Sequence, residues 1–256
     1  MIKFVGYLLA LCIGLSLGLI GGGGSVLAVP ILIYVMGLTP KTAIATSLAV
    51  VGMVSVIGAI PHWRQGNVNF RTAAFFAPTA MIGAYLGARI ADLPLITETF
   101  QLICFGLVMV TASILMIRKR GKSSENPAEV ASQKHNLASH WLAIPLQGLG
   151  IGIITGFVGV GGGFIIVPAL VLFGGIAMKE AIGTSLLIIA FNSATGFWGY
   201  LSQVELDWNL VISFTIAASL GTLVGAYLTR FIDAKNLQKG FGYFVLAVAV
   251  FVLIKR

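Results

Sequence analysis

The sequence predicts an all-α polytopic membrane protein with two homologous halves and about 8–10 hydrophobic segments, including Gly-broken or re-entrant helices. Three observations predict this fold class. Apolar residues dominate the composition, long apolar runs recur along the chain, and the second part of the sequence repeats the pattern of the first.

The composition argues against a soluble domain. Hydrophobic residues make up 58% of the 256 positions, charged residues only 9%, and the mean hydropathy is +1.00. Soluble domains typically have about 25% charged residues. A soluble chain of this length has too little interior to bury so much apolar surface, whereas a bilayer also solvates apolar side chains on the outside.

The net charge of +8 does not indicate nucleic-acid binding. The basic residues are scattered between apolar runs or clustered in one loop, and they form no basic face with interleaved aromatic residues. Their distribution is typical of the positive-inside rule. Cys12 and Cys104 both lie inside apolar runs, so we expect core packing, no metal site and no cofactor.

Ten apolar runs divide into two sets of five around one polar stretch. The runs lie at about 4–20, 25–37, 42–61, 72–91, 100–117, 141–158, 163–175, 180–200, 209–229 and 240–254. Only the polar stretch has linker composition, with Pro127, serines and charges of both signs. We therefore predict a first transmembrane repeat over 1–118, a cytoplasmic linker over 119–139 and a second transmembrane repeat over 140–256.

The two halves match in one register. GGGG at 21–24 matches GVGG at 159–162, and the AIATSL motif at 43–48 matches AIGTSL at 181–186. This pattern indicates an internal duplication, which also argues against a cleaved signal peptide at the N-terminus. Duplicated membrane halves are the usual construction of secondary transporters, with the substrate site near the midplane at the repeat interface.

Glycine runs interrupt the first apolar stretch of each half, at 21–25 within 4–36 and at 159–163 within 141–174. A continuous helix of that length would measure about 50 Å, against about 30 Å of hydrocarbon, yet two complete spans would need about 40 residues. Each stretch is therefore either one strongly broken crossing or a helix followed by a re-entrant half-helix.

The glycine breaks are the first candidate substrate site. A broken helix leaves backbone amides free, and the N-terminus of a half-helix attracts anions without any buried Arg or Lys. The candidate substrate-binding residues here are Gly22, Gly23, Gly24, Ser25, Gly161, Gly162 and Gly163. The alternative is close helix packing, which is our interpretation of the glycine pairs Gly83/Gly87 and Gly221/Gly225.

Hydroxyl and amide side chains supply further candidates. Thr46 with Ser47, and Thr184 with Ser185, lie in the first turns of long apolar segments. They either line a cavity or bond to their own helix backbone. Asn192 lies deep in an apolar run, where its amide either lines a cavity or bonds to a neighbouring helix.

No catalytic motif is visible, so we do not expect an enzyme. The sequence favours a secondary transporter for a small anion that works by alternating access, with an anion channel-like pore or a non-transport membrane subunit as alternatives. Protons or another ion could couple transport, although no carboxylate lies mid-helix to carry a proton. The other expected partners are the lipid bilayer and, as one arrangement, a second copy in a homodimer.

The sequence resembles the sulfite exporter TauE/SafE family, also called the TSUP transporters. The resemblance lies in GLIGGGGSVLAVPIL at 18–32, TAIATSLAVV at 42–51, GFVGVGGGFIIVPAL at 156–170 and AIGTSLLIIAFNS at 181–193. It implies transport of small anions, mostly sulfur-containing or carboxylated ones such as sulfite, in a bacterial inner membrane.

Two membrane topologies are consistent with the order of apolar runs in the sequence. If each glycine-broken stretch crosses once, the halves are parallel, and both termini share the linker's side. If each stretch is a helix plus a re-entrant segment or a second crossing, the halves are inverted, and the termini lie opposite the linker. Lys and Arg are in excess on the linker side in both layouts, which predicts a cytoplasmic linker but does not choose between them.

Overall fold

The structure, a computed structural model, describes residues 2–91, 98–118, 143–158, 163–200 and 204–254. In these ranges the chain forms α-helices joined by short loops, which confirms the predicted all-α fold class. The helices are α1 (Ile2–Ile20), α2 (Gly23–Tyr34), α3 (Pro40–Arg64), α4 (Phe70–Ala91), α5 (Glu98–Arg118), α6 (Ala143–Val158), α7 (Gly163–Leu172), α8 (Met178–Tyr200), α9 (Trp208–Leu228) and α10 (Ala234–Ile254).

Three of the described helices are long and apolar enough to cross a membrane, over Thr42–Arg64, Met178–Trp198 and Trp208–Leu228. These segments belong to α3, α8 and α9. Their hydropathy, rather than a strong amphipathic pattern, marks them as spans, because a spanning helix in a bundle is apolar on both its protein-facing and its lipid-facing sides.

The first glycine break turns the chain back on itself. Gly21 adopts φ +79° and its amide donates to the Leu17 carbonyl at 2.8 Å, which ends α1 in a glycine cap. A methyl group placed on Gly24 would contact Ile13, and one placed on Gly6 would contact Met36. Helix α2 therefore runs antiparallel to α1, and the stretch is a helix followed by a shorter returning helix.

The first helix on each side of the predicted linker packs on a helix from the other side of the linker. Helix α1 lies along α9, and α6 lies along α4. Glycines allow both contacts, because a methyl group on Gly221 or Gly225 would overlap the α1 backbone, and one on Gly83 or Gly87 would overlap the α6 backbone. The close-packing interpretation of these two glycine pairs is thus confirmed.

Corresponding helices of the two halves run in opposite directions. In the α3–α8 pair, Gly58 lies against Leu186, Gly52 against Ser193 and Gly196 against Leu48. In the α5–α10 pair, Ser113 donates to the Gly242 carbonyl at 2.8 Å and Gln238 donates to the Met116 carbonyl at 2.9 Å. Both registers are antiparallel, as expected if the predicted halves have the inverted one of the two layouts. The duplication itself and the boundaries 1–118, 119–139 and 140–256 stay predictions.

Candidate substrate site

The two glycine breaks meet inside the protein. A methyl group placed on Gly22 would overlap the carbonyl group of Gly163 and approach the amide nitrogen of Phe164. Gly22 caps the N-terminus of α2, and Gly163 is the first residue of α7. The structure therefore brings together backbone segments that lie far apart in the sequence, at the N-terminal ends of two short helices.

Two serines border this meeting point. A methyl group on Gly163 would contact the Ser25 Oγ at 2.6 Å, and one on Gly21 would contact the Ser185 Oγ at 2.6 Å. The Ser25 hydroxyl donates to the Gly22 carbonyl at 2.7 Å, and the Ser185 hydroxyl donates to the Ile182 carbonyl at 2.8 Å. Both hydroxyls thus bond to their own helix while they lie against the opposite glycine break.

The meeting point lies close to half-way along α8. Ser185 is about 10 Å, and Ile189 about 16 Å, from the first residue of that helix at 1.5 Å per residue. The Ile189 Cδ1 lies 3.2 Å from the position of a methyl group on Gly163. Since α8 has 23 residues, the N-termini of α2 and α7 lie near the middle of the bundle rather than at its surface.

The electrostatics of this centre come from backbone and hydroxyl groups. The first amides of a helix have no acceptor inside the helix, and Gly22 provides no side-chain cap for α2. Among the side chains that the structure describes as buried, none is Lys, Arg, Asp or Glu. An anion at this centre would therefore be stabilised by two helix N-termini and by hydroxyl or amide dipoles, not by an ion pair.

Asn192 lies on the side of α8 that faces the centre, because it follows Ile189 by one turn. Its side chain is partly exposed, but its Oδ1 is buried without a hydrogen-bond partner among the residues that the structure describes. If the side-chain amide turned over, its NH₂ donor would lie where the Oδ1 acceptor now lies. Both roles considered for Asn192, cavity lining and an interhelical hydrogen bond, stay predictions.

The two threonines of the predicted site have different surroundings. Thr184 is fully buried, and its Oγ1 accepts a 2.9 Å hydrogen bond from the Asn69 amide in the α3–α4 loop. The Asn69 side chain also donates to the Glu180 carboxylate at 2.9 Å. Thr184 therefore anchors a loop onto α8. Thr46 and Ser47 are buried on α3, 1% and 5% exposed, and no described contact joins them to the glycine breaks.

Two predicted site residues, Gly161 and Gly162, lie outside the described residues. The remaining glycines, Gly22, Gly23 and Gly24, are buried at the start of α2. Gly23 lies against the Phe244 ring, 3.1 Å from the position of an added methyl group, and Gly24 lies against α1. Of the three, Gly22 is the one that contacts the second break.

Sequence reasoning missed a buried contact next to the first break. The His62 Nε2 lies 3.1 Å from the Gly18 carbonyl oxygen in the last turn of α1, and the Thr229 hydroxyl donates to the same oxygen at 3.3 Å. His62 is fully buried. The available signal was a histidine that follows an apolar segment directly and precedes Trp63 and Arg64.

An apolar crevice of about 260 Å³ lies elsewhere, at the crossing of α3 and α8. None of the predicted site residues lines it. Its walls are entirely apolar side chains and one glycine: Leu48, Ala49, Gly52, Met53, Val56, Ala190, Ala194, Phe197 and Trp208. Without a polar group to orient a charged solute, this crevice does not suit a small anion.

Comparisons with known proteins give one family match and several relatives named as membrane transporters. The family described as sulfite exporter TauE/SafE matches residues 7–252. A probable membrane transporter protein of Xylella fastidiosa strain 9a5c is 36% identical over 94% of this chain and 91% of its own length. The probable membrane transporter protein YdhB of Bacillus subtilis is 24% identical over 85% of this chain and 86% of its own length. No solved structure matches. The family match spans nearly the whole chain, both glycine breaks included, and so the protein belongs to the sulfite exporter TauE/SafE family of membrane transporters.

Proposed function

We propose that the protein is a secondary transporter for a small anion, namely sulfite or a related sulfur-containing or organic anion, and that it works by alternating access. The observation that carries this proposal is the meeting of the α2 and α7 N-termini at Gly22 and Gly163, near the middle of the bundle. Discontinuous helices that end at mid-depth are a typical site construction in transporters with inverted repeats.

The chemistry of this centre supports an anionic substrate. Two half-helix N-termini direct their partial positive charge toward one point, and the Ser25 and Ser185 hydroxyls lie beside it. A compact oxyanion with several acceptor oxygens matches a site built mostly from backbone amides, and each serine hydroxyl would add a donor if it turned away from the carbonyl of its own helix. The family is named for sulfite export, which is the reason to test this anion first.

The closeness of the two breaks favours a carrier over a channel-like pore. A permanent pore needs an open path past its narrowest point, whereas the Gly22 backbone lies directly against Gly163. A carrier needs such a closed contact in at least one state and opens it by moving one group of helices against another. The α1–α9 and α4–α6 pairs, each joining helices of different halves, are suited to move as units.

We also propose that the membrane is the bacterial inner membrane and that the linker at 119–139 is cytoplasmic. Arg118, Lys119 and Arg120 are consecutive at the end of α5 and the start of the linker, and Lys122 follows after one glycine. Such basic clusters mark the cytoplasmic side of bacterial inner-membrane proteins.

The test is sulfite flux into proteoliposomes that contain the purified full-length protein, with protein-free vesicles as the control. We expect saturable uptake, stimulation by sulfite on the opposite side, and competition by thiosulfate, sulfonates or carboxylates in a graded order. Flux without saturation or trans-stimulation would identify a pore. Absence of flux for every anion in the panel would contradict the proposed function and favour a non-transport subunit.

A further inference from the structure

We propose that His62 is the proton-binding residue that couples anion movement to the pH gradient. The inference rests on the proposed transport function and adds the coupling ion and its site. His62 has no exposed surface, and it is the only ionisable side chain that is buried among those the structure describes. Histidine is the side chain that ordinarily changes charge between pH 5 and pH 8.

The hydrogen bonding of His62 defines its proton state in this conformation. The Gly18 carbonyl can only accept, so the Nε2, 3.1 Å away, carries the hydrogen. The Nδ1 is buried and has no hydrogen-bond partner in the described part of the chain. The imidazole is therefore neutral here, and the Nδ1 lone pair is the place where an incoming proton would bind.

The position of His62 connects it to the candidate site. Its partner Gly18 lies three residues before Gly21, where α1 ends at the glycine break. A methyl group on Gly183 of α8 would contact the His62 Cβ at 2.9 Å, and the Asn67 amide donates to the His62 carbonyl at 2.9 Å. His62 therefore lies where α1, α3 and α8 meet, about one helical turn from the break.

Protonation of the His62 imidazole would destabilise this buried arrangement. It would place a second N–H and a positive charge in a buried position, which costs free energy unless both find partners. The charged groups at the His62 end of the packed elements are Arg64 on α3, Arg230 after α9, and Lys179 with Glu180 on α8, whereas Lys3 of α1 and Lys41 of α3 lie at the far ends of their helices. Lys179 donates to the Arg230 carbonyl, and Glu180 accepts from Asn69. The α1 segment 14–20 and the loop 65–69 contain no ionisable side chain.

Protonation of His62 thus favours a conformation in which the ring leaves Gly18 and reaches water or a carboxylate. Glu180 is the carboxylate nearest along α8, one turn before Gly183 and on the same face. Because Gly18 belongs to the last turn of α1, release of this contact loosens the segment that leads into the break. A proton bound from one side is in this way linked to the opening of the anion site.

The test uses the His62→Gln variant, whose amide nitrogen can still donate to Gly18 but cannot hold a charge. Two assays are compared in proteoliposomes: sulfite exchange at equal pH on both sides, and sulfite accumulation driven by an imposed pH gradient. We expect His62→Gln to lose gradient-driven accumulation and to retain saturable but slower exchange, because exchange needs no net proton movement while opening of the site is no longer favoured by a bound proton. The double variant His135→Gln/His140→Gln, which removes the other two histidines, should retain both activities.

The outcomes separate this inference from the proposed function. Gradient-driven accumulation by His62→Gln at the wild-type level would overturn the inference, as would a wild-type protein that exchanges sulfite but ignores the pH gradient. A wild-type protein without any exchange would instead contradict the transport function. If His62→Gln lost exchange as well, proton uptake on sulfite addition would decide, measured with a pH dye in weakly buffered detergent solution. A proton uptake in the variant equal to that of wild type would then overturn the role of His62.

Discussion

At the scale of single residues, the glycines of the first break matter most, because they allow a left-handed backbone conformation and a close backbone contact. At Gly21 the φ of +79° lies in the left-handed region, where a side chain costs about 1–2 kcal/mol. Gly22 has backbone angles that any residue can adopt, but there is no room for a side chain, because the Gly163 carbonyl occupies that position. Neighbouring glycines in one run therefore have different functions: Gly21 reverses the chain, and Gly22 lets the two breaks touch.

Gly22→Ala should weaken substrate binding while the protein still inserts into the membrane. The added methyl group would meet backbone atoms of Gly163, which cannot rotate away as a flexible side chain could. If about 1–3 kcal/mol of overpacking strain falls on the bound state, the half-saturating sulfite concentration rises by about fivefold to 150-fold. The measurement is the concentration dependence of sulfite flux in proteoliposomes.

Gly240→Ala is the matched control for this substitution. Gly240 lies within α10, and no atom lies within 4 Å of an added methyl group. Alanine there should leave flux unchanged, since it improves helix propensity without a steric cost. Wild-type affinity in Gly22→Ala, at equal protein insertion, would show that the contact between the breaks has no part in binding.

The sequence could predict the candidate glycines but not their partners. A glycine run inside an apolar stretch indicates a broken helix, because glycine both lowers helix propensity and frees backbone groups. Nothing in the run indicates which backbone will lie against Gly22, because that contact is made by tertiary packing. His62 was missed for a related reason: its hydrogen-bond partner, the Gly18 carbonyl, lies 44 positions away in the sequence.

At the scale of the helices, the apolar runs correspond closely to what forms. The run at about 42–61 becomes α3, Pro40–Arg64, which starts after the Thr39 cap and continues through Pro61. The packing partners were not predictable, because a membrane-buried helix is apolar on every side and has no polar face to indicate its orientation. Small residues such as Gly152 predict close approach to some helix without naming which one.

Two glycines in α6 test the α4–α6 contact. A side chain on Gly152 would overlap the Ala80 backbone of α4, whereas Gly150, two residues earlier, has no atom within 4 Å of an added methyl group. We expect Gly152→Val to lower the free energy of unfolding by about 1–3 kcal/mol through overpacking, and Gly150→Val to have little effect. Thermal unfolding of the detergent-solubilised variants measures the difference, and equal midpoints would rule out the close contact.

At the scale of the whole molecule, the antiparallel registers of α3 with α8 and of α5 with α10 imply inverted halves. In this arrangement α2 and α7 extend from the centre toward opposite sides of the membrane. The termini and the loops at 35–39 and 204–207 share one side, and the loops at 65–69, 173–177 and 229–233 share the other. In the proposed alternating access, rocking of one set of helices against the other would expose the same centre to either side.

Single-cysteine labelling tests the inverted arrangement directly. Glu205 and Asn236 are both exposed, near the start of α9 and of α10, so the chain crosses the membrane once between them. In a background with Cys12 and Cys104 replaced by serine, Glu205→Cys should react with an impermeant maleimide added to intact cells, and Asn236→Cys should react only after the cells are opened. Parallel halves require the reverse pattern, because their linker and termini lie together in the cytoplasm and residue 205 then lies inside. That reverse pattern would contradict the inverted fold and, with it, the meeting of oppositely directed half-helices on which the proposed anion site depends.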